Sequence, residues 1–155
     1  AANQARDISD KNIIVIPSKS VPQGLAALLS FDLEATPEAN EKTMIESIKM
    51  VKTGQVTYAI RDTDYNDLKI LEGDILGICD DEIKSVGKDV KQVCIDLAEK
   101  MVTDESEIIT IFYGSDITEK EANELLEELT NKYEDIDIEL YYGGQPLYYY
   151  ILSVE

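Results

Sequence analysis

The stretch from residue 108 to residue 142 decides the fold class, and it reads IITIFYGSDITEKEANELLEELTNKYEDIDIELYY. It opens with an apolar run, Ile108 to Tyr113, that predicts a buried strand. Thr118 and Glu121 then form the capping-box pattern that precedes an amphipathic helix, which continues to Tyr133. Alternating apolar residues from Ile136 to Leu140 predict a second strand. This order of strand, helix and strand predicts an α/β fold.

Similar signals lie on both sides of this stretch. Val90 to Met101 has apolar residues at steps of three and four, which predicts an amphipathic helix. Gln55 to Ile60 alternates as a strand does. Short apolar segments predict a meander of strands at Leu68–Leu71, Ile75–Cys79 and Ile83–Val86. Near the end of the chain, Gly143-Gly144 can turn the backbone into a terminal strand.

The first third of the chain is predicted to contain helices around one strand. Ala1 to Ile8 reads as a helix, and the continuous β-branched run Ile13 to Ile16 predicts a strand buried on both faces. Pro22 suits the first turn of a short helix that extends to Leu29. Thr36-Pro37 predicts the start of another helix, and Gly54 is its predicted end.

Together these segments predict one α/β module over residues 1–155, with a parallel or mixed sheet covered by helices. A chain of 155 residues fits one domain or two small lobes that share a core. We expect lobes at residues 1–61 and 62–155. The first would be built around Ile13–Ile16, and the second around the meander and two β-α units.

The composition is strongly acidic, with 14 Lys and Arg against 32 Asp and Glu and a formal net charge of -18. A surface of this sign repels nucleic acid and anionic headgroups, so neither is an expected partner. The apolar runs are strand-sized, far below the roughly 20 residues that span a bilayer, so we expect no membrane insertion. Two interpretations of the acidic surface remain open: solubility, or docking onto a basic face of another protein.

The cysteines and the N-terminal sequence predict the compartment. Cys79 and Cys94 are expected to remain buried thiols in a reducing environment rather than to form a disulfide. No basic and apolar signal peptide opens the chain. We therefore expect a cytoplasmic protein.

No catalytic constellation can be assembled from these residues. The chain contains no histidine, which excludes a Ser-His-Asp triad or a Cys-His pair within it, and it has no Gly-rich phosphate loop. The segment from Asp62 begins like an EF-hand calcium loop, but Asp67 stands where glycine is needed and Gly73 where glutamate is needed. A solvated turn rich in Asp and Asn is the favoured interpretation. We predict no catalytic residue, no metal and no cofactor within this chain.

A first candidate binding surface lies between the predicted strand at Ile13–Ile16 and the helix that follows. It consists of Ser18, Ser20, Gln23 and Gly24. Ligands of α/β sheets bind at such strand-to-helix connections, where helix N-terminal amides attract anions. A plain helix cap is the alternative interpretation.

A second candidate surface combines Arg61 with the turn formed by Gly143, Gly144, Gln145 and Tyr148. Arg61 follows an apolar strand and could clamp a carboxylate of a partner, although an internal salt bridge is the alternative. The final segment carries five of the nine tyrosines, at Tyr141, Tyr142, Tyr148, Tyr149 and Tyr150. Neighbouring residues of a strand face opposite sides, so part of this group must reach the surface or a lobe interface. Core packing and a protein-binding surface are both open interpretations.

Four segments of the chain resemble a known family. They are Ile16–Leu28, Val56–Thr63, Glu72–Ile78 and Gly143–Tyr148. In the same order, they resemble the C-terminal region of the dihydroxyacetone-kinase-like ATP-binding subunit of bacterial fatty acid kinase. More loosely, the two halves are similar to DegV-type fatty-acid-binding proteins, which implies a two-lobed, DegV-like module.

The resemblance implies a division of labour. In that family an N-terminal kinase domain, which this chain lacks, holds ATP and magnesium. The C-terminal region engages a separate acyl-binding DegV-type protein, whose fatty acid is phosphorylated on its carboxylate for phospholipid synthesis. The resemblance thus implies a non-catalytic docking module whose partners are that protein and the other domains of its own full-length chain. A homo-oligomer is left open, and a module that itself binds a fatty acid is the alternative.

Overall fold

A computed structural model of the protein describes residues 1–66 and 68–155, which form two compact units. The units are Ala1–Val51 and Lys52–Glu155. The predicted lobe boundary after Arg61 lies further along the chain than this division, because the strand before Arg61 pairs within the sheet of the second unit. Asp67, the residue compared with the calcium-loop glycine, lies outside the described residues.

The described part of the first unit contains helices α1 (Ala2–Asp7), α2 (Val21–Leu29) and α3 (Pro37–Met50). The predicted start of α3 is confirmed, because the Thr36 hydroxyl accepts a hydrogen bond from the Ala39 N–H. Its predicted end at Gly54 is wrong: α3 ends at Met50, and Gly54 belongs to a strand. A glycine favours a helix end only where the backbone takes the left-handed conformation, which Gly54 does not take.

The strand predicted at Ile13–Ile16 is not formed. These residues are half-buried and lie in neither a helix nor a strand. Their β-branched side chains favour extended backbone, but a strand also needs a neighbour that completes its hydrogen bonds. Every described strand lies within residues 52–155. The prediction was wrong because it considered only the type of side chain and not whether a neighbouring strand was present to pair with.

The described part of the second unit contains eight strands and two helices. In chain order they are β1 (Lys52–Tyr58), β2 (Thr63–Tyr65), β3 (Leu68–Ile70), β4 (Ile75–Cys79), β5 (Glu82–Gly87), α4 (Val90–Met101), β6 (Ile108–Tyr113), α5 (Glu119–Lys132), β7 (Asp137–Tyr142) and β8 (Tyr150–Val154). Six strands form one sheet in the order β5-β4-β1-β8-β6-β7, in which only β6 and β7 pair in parallel. The predicted α/β class with a mixed sheet and helices is therefore confirmed.

Helix α4 approaches the sheet closely through glycines. Three of its residues, one helical turn apart, each face a strand glycine: Val93 faces Gly87, Leu97 faces Gly77 and Met101 faces Gly54. A Cβ atom at Gly77 would lie 3.1 Å from Leu97 Cβ and 2.1 Å from the hydroxyl of Ser85. The glycines therefore let the helix backbone come nearer to the sheet than other residues would allow.

The hairpin of β2 and β3 covers the other face of β4. Ile70 of β3 is buried with Ala59 and Leu76. Ile75, the neighbour of Leu76, belongs to the core cluster beneath the helices, so Leu76 must face the opposite side of the sheet. The segment interpreted as an Asp-rich turn is mostly exposed, but it includes the short strand β2, whose Tyr65 is half-buried against this cluster.

The glycine pair Gly143-Gly144 leads into β8, but it is not a hairpin turn. β8 lies between β1 and β6, whereas β7 pairs only with β6 at the edge of the sheet. A two-residue hairpin of the commonest type needs positive φ at both central residues, and of this pair only Gly144 has it, at 64°. The segment between β7 and β8 instead crosses the end of β6.

The two-residue turn between β4 and β5 offers a stability test. Asp80 and Asp81 connect the paired residues Cys79 and Glu82 with φ angles of 51° and 62°. We expect Asp81→Gly to raise the free energy of unfolding by about 1 kcal/mol, because glycine adopts positive φ without a Cβ clash. Urea unfolding measures this change. Asp81→Ala removes the same charge without relieving the backbone, so it should not stabilise. Equal effects of the two variants would contradict the explanation.

Candidate functional site

One end of the second unit's sheet collects several of the predicted residues. β1, β5, β6 and β7 run in the same direction, because β4 and β8 are antiparallel to their neighbours and β7 is parallel to β6. We call this end the carboxyl edge and define it as residues 58–61, 113–118 and 142–149. Helices α4 and α5 also begin at this end, since each follows a strand that finishes there. Such an edge is where α/β sheets place their binding sites.

The turn after β7 is fixed by hydrogen bonds to β6. The carbonyl of Tyr113 accepts from the N–H groups of both Gly143 and Gly144, at 3.0 and 3.2 Å. The side-chain amide of Gln145 donates to the carbonyl of Phe112 at 3.0 Å. Three of the four residues predicted for this turn are therefore held against the carboxyl end of one strand.

Gly114 lies directly beneath the same crossing. Its N–H donates to the carbonyl of Tyr149 at 2.9 Å, and the N–H of Ser115 donates to the carbonyl of Gln145 at 3.1 Å. A Cβ atom at residue 114 would lie 2.3 Å from the carbonyl oxygen of Tyr148 and 2.7 Å from that of Gln145. Only glycine fits this approach, because the opposing atoms belong to the backbone. Glycine's role here was not predicted from the sequence.

Leu147 has a strained backbone and an exposed side chain. Its φ is 70°, and the N–H of Tyr148 donates to the carbonyl of Pro146 at 2.9 Å. This combination is the γ-turn with positive central φ, the rare and strained form. A residue held in such a sparsely populated backbone conformation costs about 1–3 kcal/mol. The hydroxyl of Thr57 donates to the Leu147 carbonyl at 2.8 Å and holds the turn, while the residue remains 60% exposed.

The tyrosines divide between core and surface. Tyr150 is buried in the core beneath the helices, and Tyr149 is half-buried against Tyr58, with 6.1 Å between ring centroids. Tyr142 is 66% exposed, although its ring lies 5.2 Å from that of Tyr113. Core packing therefore applies to Tyr150 and in part to Tyr149, whereas Tyr142 reaches the surface and a protein-binding role for it stays a prediction.

Arg61 lies at the carboxyl edge beyond β1 and is exposed. It forms no ion pair with another described residue, so the internal salt bridge considered for it is not found within residues 1–66 and 68–155. Its neighbour Ile60 is 78% exposed. In the described part of the second unit, each Lys apart from Lys69 contacts a carboxylate or a backbone carbonyl. Among the described residues, therefore, no carboxylate forms an ion pair with the guanidinium of Arg61, a group that binds carboxylates strongly.

The first candidate surface belongs to the first unit. Gln23 donates its N–H to the Ser20 hydroxyl at 3.3 Å, and its side-chain oxygen accepts from the N–H of Lys19 at 2.8 Å. A Cβ atom at Gly24 would lie 3.9 Å from the Ser18 hydroxyl oxygen. These contacts are those of a helix cap at the start of α2, which was the alternative interpretation. The structure therefore brings these four residues together in a unit separate from Arg61 and the Gly143–Tyr148 turn.

The cysteines are free and buried, as predicted. Burial raises the pKa of Cys79 to about 11, and it also raises the pKa of Cys94. Both groups are therefore protonated thiols at neutral pH, which makes them weak nucleophiles.

Residues 1–66 and 68–155 offer neither a metal-binding cluster nor a membrane-spanning helix. No group of three or more His, Cys, Asp and Glu side chains in this part of the chain is placed to hold a metal ion. None of the helices described there has the length and apolar character needed to cross a membrane.

Asp74 is a nearly buried acid at the start of β4. Its carboxylate pairs with the ammonium of Lys88 and accepts a hydrogen bond from the N–H of Leu71 at 2.8 Å. The hydrogen-bonded Lys88 is the main cause that holds the pKa of Asp74 below the ordinary value of 3.8, and the Leu71 N–H acts in the same direction. The ionised carboxylate thus ties the connection after β3 to the sheet.

A pH series tests this role of Asp74. A carboxyl group with a lowered folded-state pKa stabilises the protein above its unfolded pKa and loses that contribution as pH falls through its folded pKa. We expect Asp74→Asn to lower the urea midpoint at pH 7. The difference from the parent should shrink steadily below pH 3.8, the ordinary Asp value. The exposed Asp104 provides a matched control, and a pH-independent difference for Asp74→Asn would contradict the electrostatic explanation.

Comparison with known proteins places the chain among bacterial relatives. It is 43% identical over 155 residues to protein YloV of Bacillus subtilis strain 168. It is also 37% identical over 155 residues to uncharacterised proteins of Staphylococcus aureus strains MRSA252 and USA300. All of this chain aligns in each comparison, and it spans 28% of the length of each relative. The family profile for the C-terminal domain of FakA-like fatty acid kinase subunits matches residues 1–155 in full. The chain therefore belongs to the FakA-like family of fatty acid kinase C-terminal domains.

Proposed function

We propose that this domain is non-catalytic and docks an acyl-binding, DegV-type partner protein, so that the partner's fatty acid can be phosphorylated by a kinase domain elsewhere in the full-length chain. The observation that carries the proposal is the carboxyl edge. There Ile60, Tyr142 and Leu147 expose apolar surface at the same end of the sheet as the exposed Arg61. Tyr and Arg are enriched at interface hot spots, and the exposed apolar side chains beside them offer surface that a partner can bury.

The chemistry of phosphoryl transfer is assigned to the longer protein. This chain has no phosphate loop, and its described residues offer no cluster of acids that fits magnesium. We therefore assign ATP and magnesium to the kinase domain and derive no step from them here. The contribution of the docking domain is orientation, because holding two reactants in place converts an encounter between molecules into a reaction within one complex.

The acidic surface has a role in the rate and salt dependence of docking. A net charge of -18 attracts a partner that presents a basic face and repels one that presents an acidic face. Arg61 would then meet a single carboxylate within that basic face. Salt screens the long-range attraction, so the association should weaken as ionic strength rises.

Calorimetric titration with the DegV-type acyl-binding protein of the same organism, loaded with palmitic acid, tests the proposal. We expect saturable one-to-one binding that weakens at high salt. Arg61→Gln should reduce the affinity about tenfold, because it removes a charge-assisted hydrogen bond at the interface. Tyr148→Ala should also weaken binding. Lys132→Gln removes the same charge at the end of α5 furthest from the carboxyl edge, so it should bind nearly as the parent does.

The other outcomes are equally informative. Parent-like affinity of Arg61→Gln and Tyr148→Ala would remove both residues from the interface. A folded parent chain that does not bind in either buffer would overturn docking. In that case an acyl adduct seen by native mass spectrometry would favour a domain that binds fatty acid itself.

A further inference from the structure

We propose that Leu147 is the anchor of the docking surface and inserts into an apolar pocket on the acyl-binding partner. The inference rests on the proposed function and adds a residue and a partner chemistry to it. Its basis is the combination of a positive φ, an exposed side chain and a turn fixed by hydrogen bonds at one position.

The side chain of Leu147 contributes little to the conformation in which the surrounding hydrogen bonds hold its backbone. Leucine has no local hydrogen bond that would favour a positive φ, unlike Asn or Asp. An apolar side chain that remains 60% exposed also gains little from burial. Strained residues of this kind persist where the surrounding structure holds them, and they cluster at binding sites. A partner that buries the side chain supplies the stabilisation that the isolated chain lacks.

The turn that carries Leu147 is already in a fixed conformation. The Thr57 hydroxyl holds the Leu147 carbonyl at 2.8 Å, and the γ-turn bond joins Tyr148 to Pro146. The N–H of Gly114 donates to the carbonyl of Tyr149 at 2.9 Å and the N–H of Ser115 to that of Gln145 at 3.1 Å, so the segment is also held on both sides of the turn. A side chain presented in this way loses little conformational freedom on binding, which favours its use as an anchor.

The neighbouring charge defines the partner surface further. Thr57 and Arg61 are four residues apart, and even fully extended backbone would separate their Cα atoms by no more than about 13 Å. One interface of ordinary size, about 800 Å² on each partner, covers both groups. We therefore expect the apolar pocket for Leu147 to be bordered by a carboxylate that pairs with Arg61.

The experiment separates docking from folding through three variants. Leu147→Asn tolerates a positive φ but removes the apolar group, whereas Leu147→Met keeps an apolar group of similar size. Leu33→Asn is the control, because it makes the same leucine-to-asparagine change at another exposed leucine, which lies in the first unit. Calorimetry with the palmitate-loaded acyl-binding protein gives the affinity, and urea unfolding gives the midpoint for each variant.

We expect Leu147→Asn to bind at least about tenfold more weakly than the parent, with an unfolding midpoint that is equal or higher. Leu147→Met and Leu33→Asn should bind as the parent does. Parent-like binding by Leu147→Asn would overturn the anchor and leave docking intact. A lower unfolding midpoint for Leu147→Asn would show that Leu147 has a structural role, and so would lost binding by Leu147→Met. Either result would also overturn the role of Leu147 as an anchor. Failure of the parent to bind would overturn both proposals.

Discussion

Gly114→Ala is expected to lower the free energy of unfolding by about 3 kcal/mol, the upper end of the usual cost of an added group in a closely packed site. The new Cβ would lie 2.3 Å from the Tyr148 carbonyl oxygen and 2.7 Å from that of Gln145. Neither atom can rotate away, because both belong to the crossing between β7 and β8. Urea unfolding followed by circular dichroism measures the loss.

A second glycine of the same chain supplies the control. Gly24 lies within α2, and the nearest atom to an added Cβ is the Ser18 hydroxyl oxygen at 3.9 Å. Gly24→Ala should therefore leave the midpoint unchanged or raise it, since alanine favours helix over glycine. An unchanged midpoint for Gly114→Ala would show that the crossing yields easily. The proposal of a rigid Leu147 turn would then lose its support.

The elements predicted well from the sequence are those with local signals. The steps of three and four from Val90 to Met101 give α4 its observed bounds, and the Thr118-to-Glu121 capping box starts α5 as expected. These signals depend on neighbours within one or two helical turns. Strand predictions succeeded where pairing partners existed, as at Ile108–Tyr113, and failed at Ile13–Ile16, where none exists among the described residues of the first unit. Pairing is a non-local property, which side-chain type does not determine.

The candidate site was only partly predictable for the same reason. The glycine pair at Gly143-Gly144 indicated a turn, and the residue type of Arg61 indicated carboxylate binding. Their position at one end of the sheet follows from the strand order, which places β8 between β1 and β6. The positive φ of Leu147 could not be predicted from the sequence, because leucine rarely adopts such a conformation. The close approach at Gly114 likewise depends on carbonyls that lie more than thirty residues away.

Leu97→Ala is the second substitution with a large expected effect. Leu97 is fully buried at the centre of α4, and it faces both Gly77 of β4 and Gly54 of β1. Removal of the side chain leaves a cavity that the glycines cannot fill, because they have no side chains to rearrange. We expect a loss of about 3 kcal/mol in the free energy of unfolding, within the usual range for buried leucine. Urea denaturation at pH 7 is the measurement.

Leu29→Ala is the matched control, because Leu29 is also helical but 88% exposed, and its replacement should change the midpoint little. A small loss at Leu97 would mean that α4 moves toward the sheet and closes the cavity.

A double variant distinguishes a helix that stays in place from one that moves. The methyl group of Gly54→Ala would lie 2.5 Å from Met101 Sδ and 3.0 Å from Leu97 Cδ2. If the helix stays in place, Leu97→Ala removes the second of these contacts and leaves a cavity into which the flexible Met101 side chain can shift. The two changes should then be less destabilising together than the sum of their separate effects. If the helix moves, Gly54→Ala should lower the free energy of unfolding by similar amounts in the parent and in the Leu97→Ala variant. The glycine contacts beneath α4 therefore determine whether this core responds to a lost side chain by collapse or by leaving a cavity.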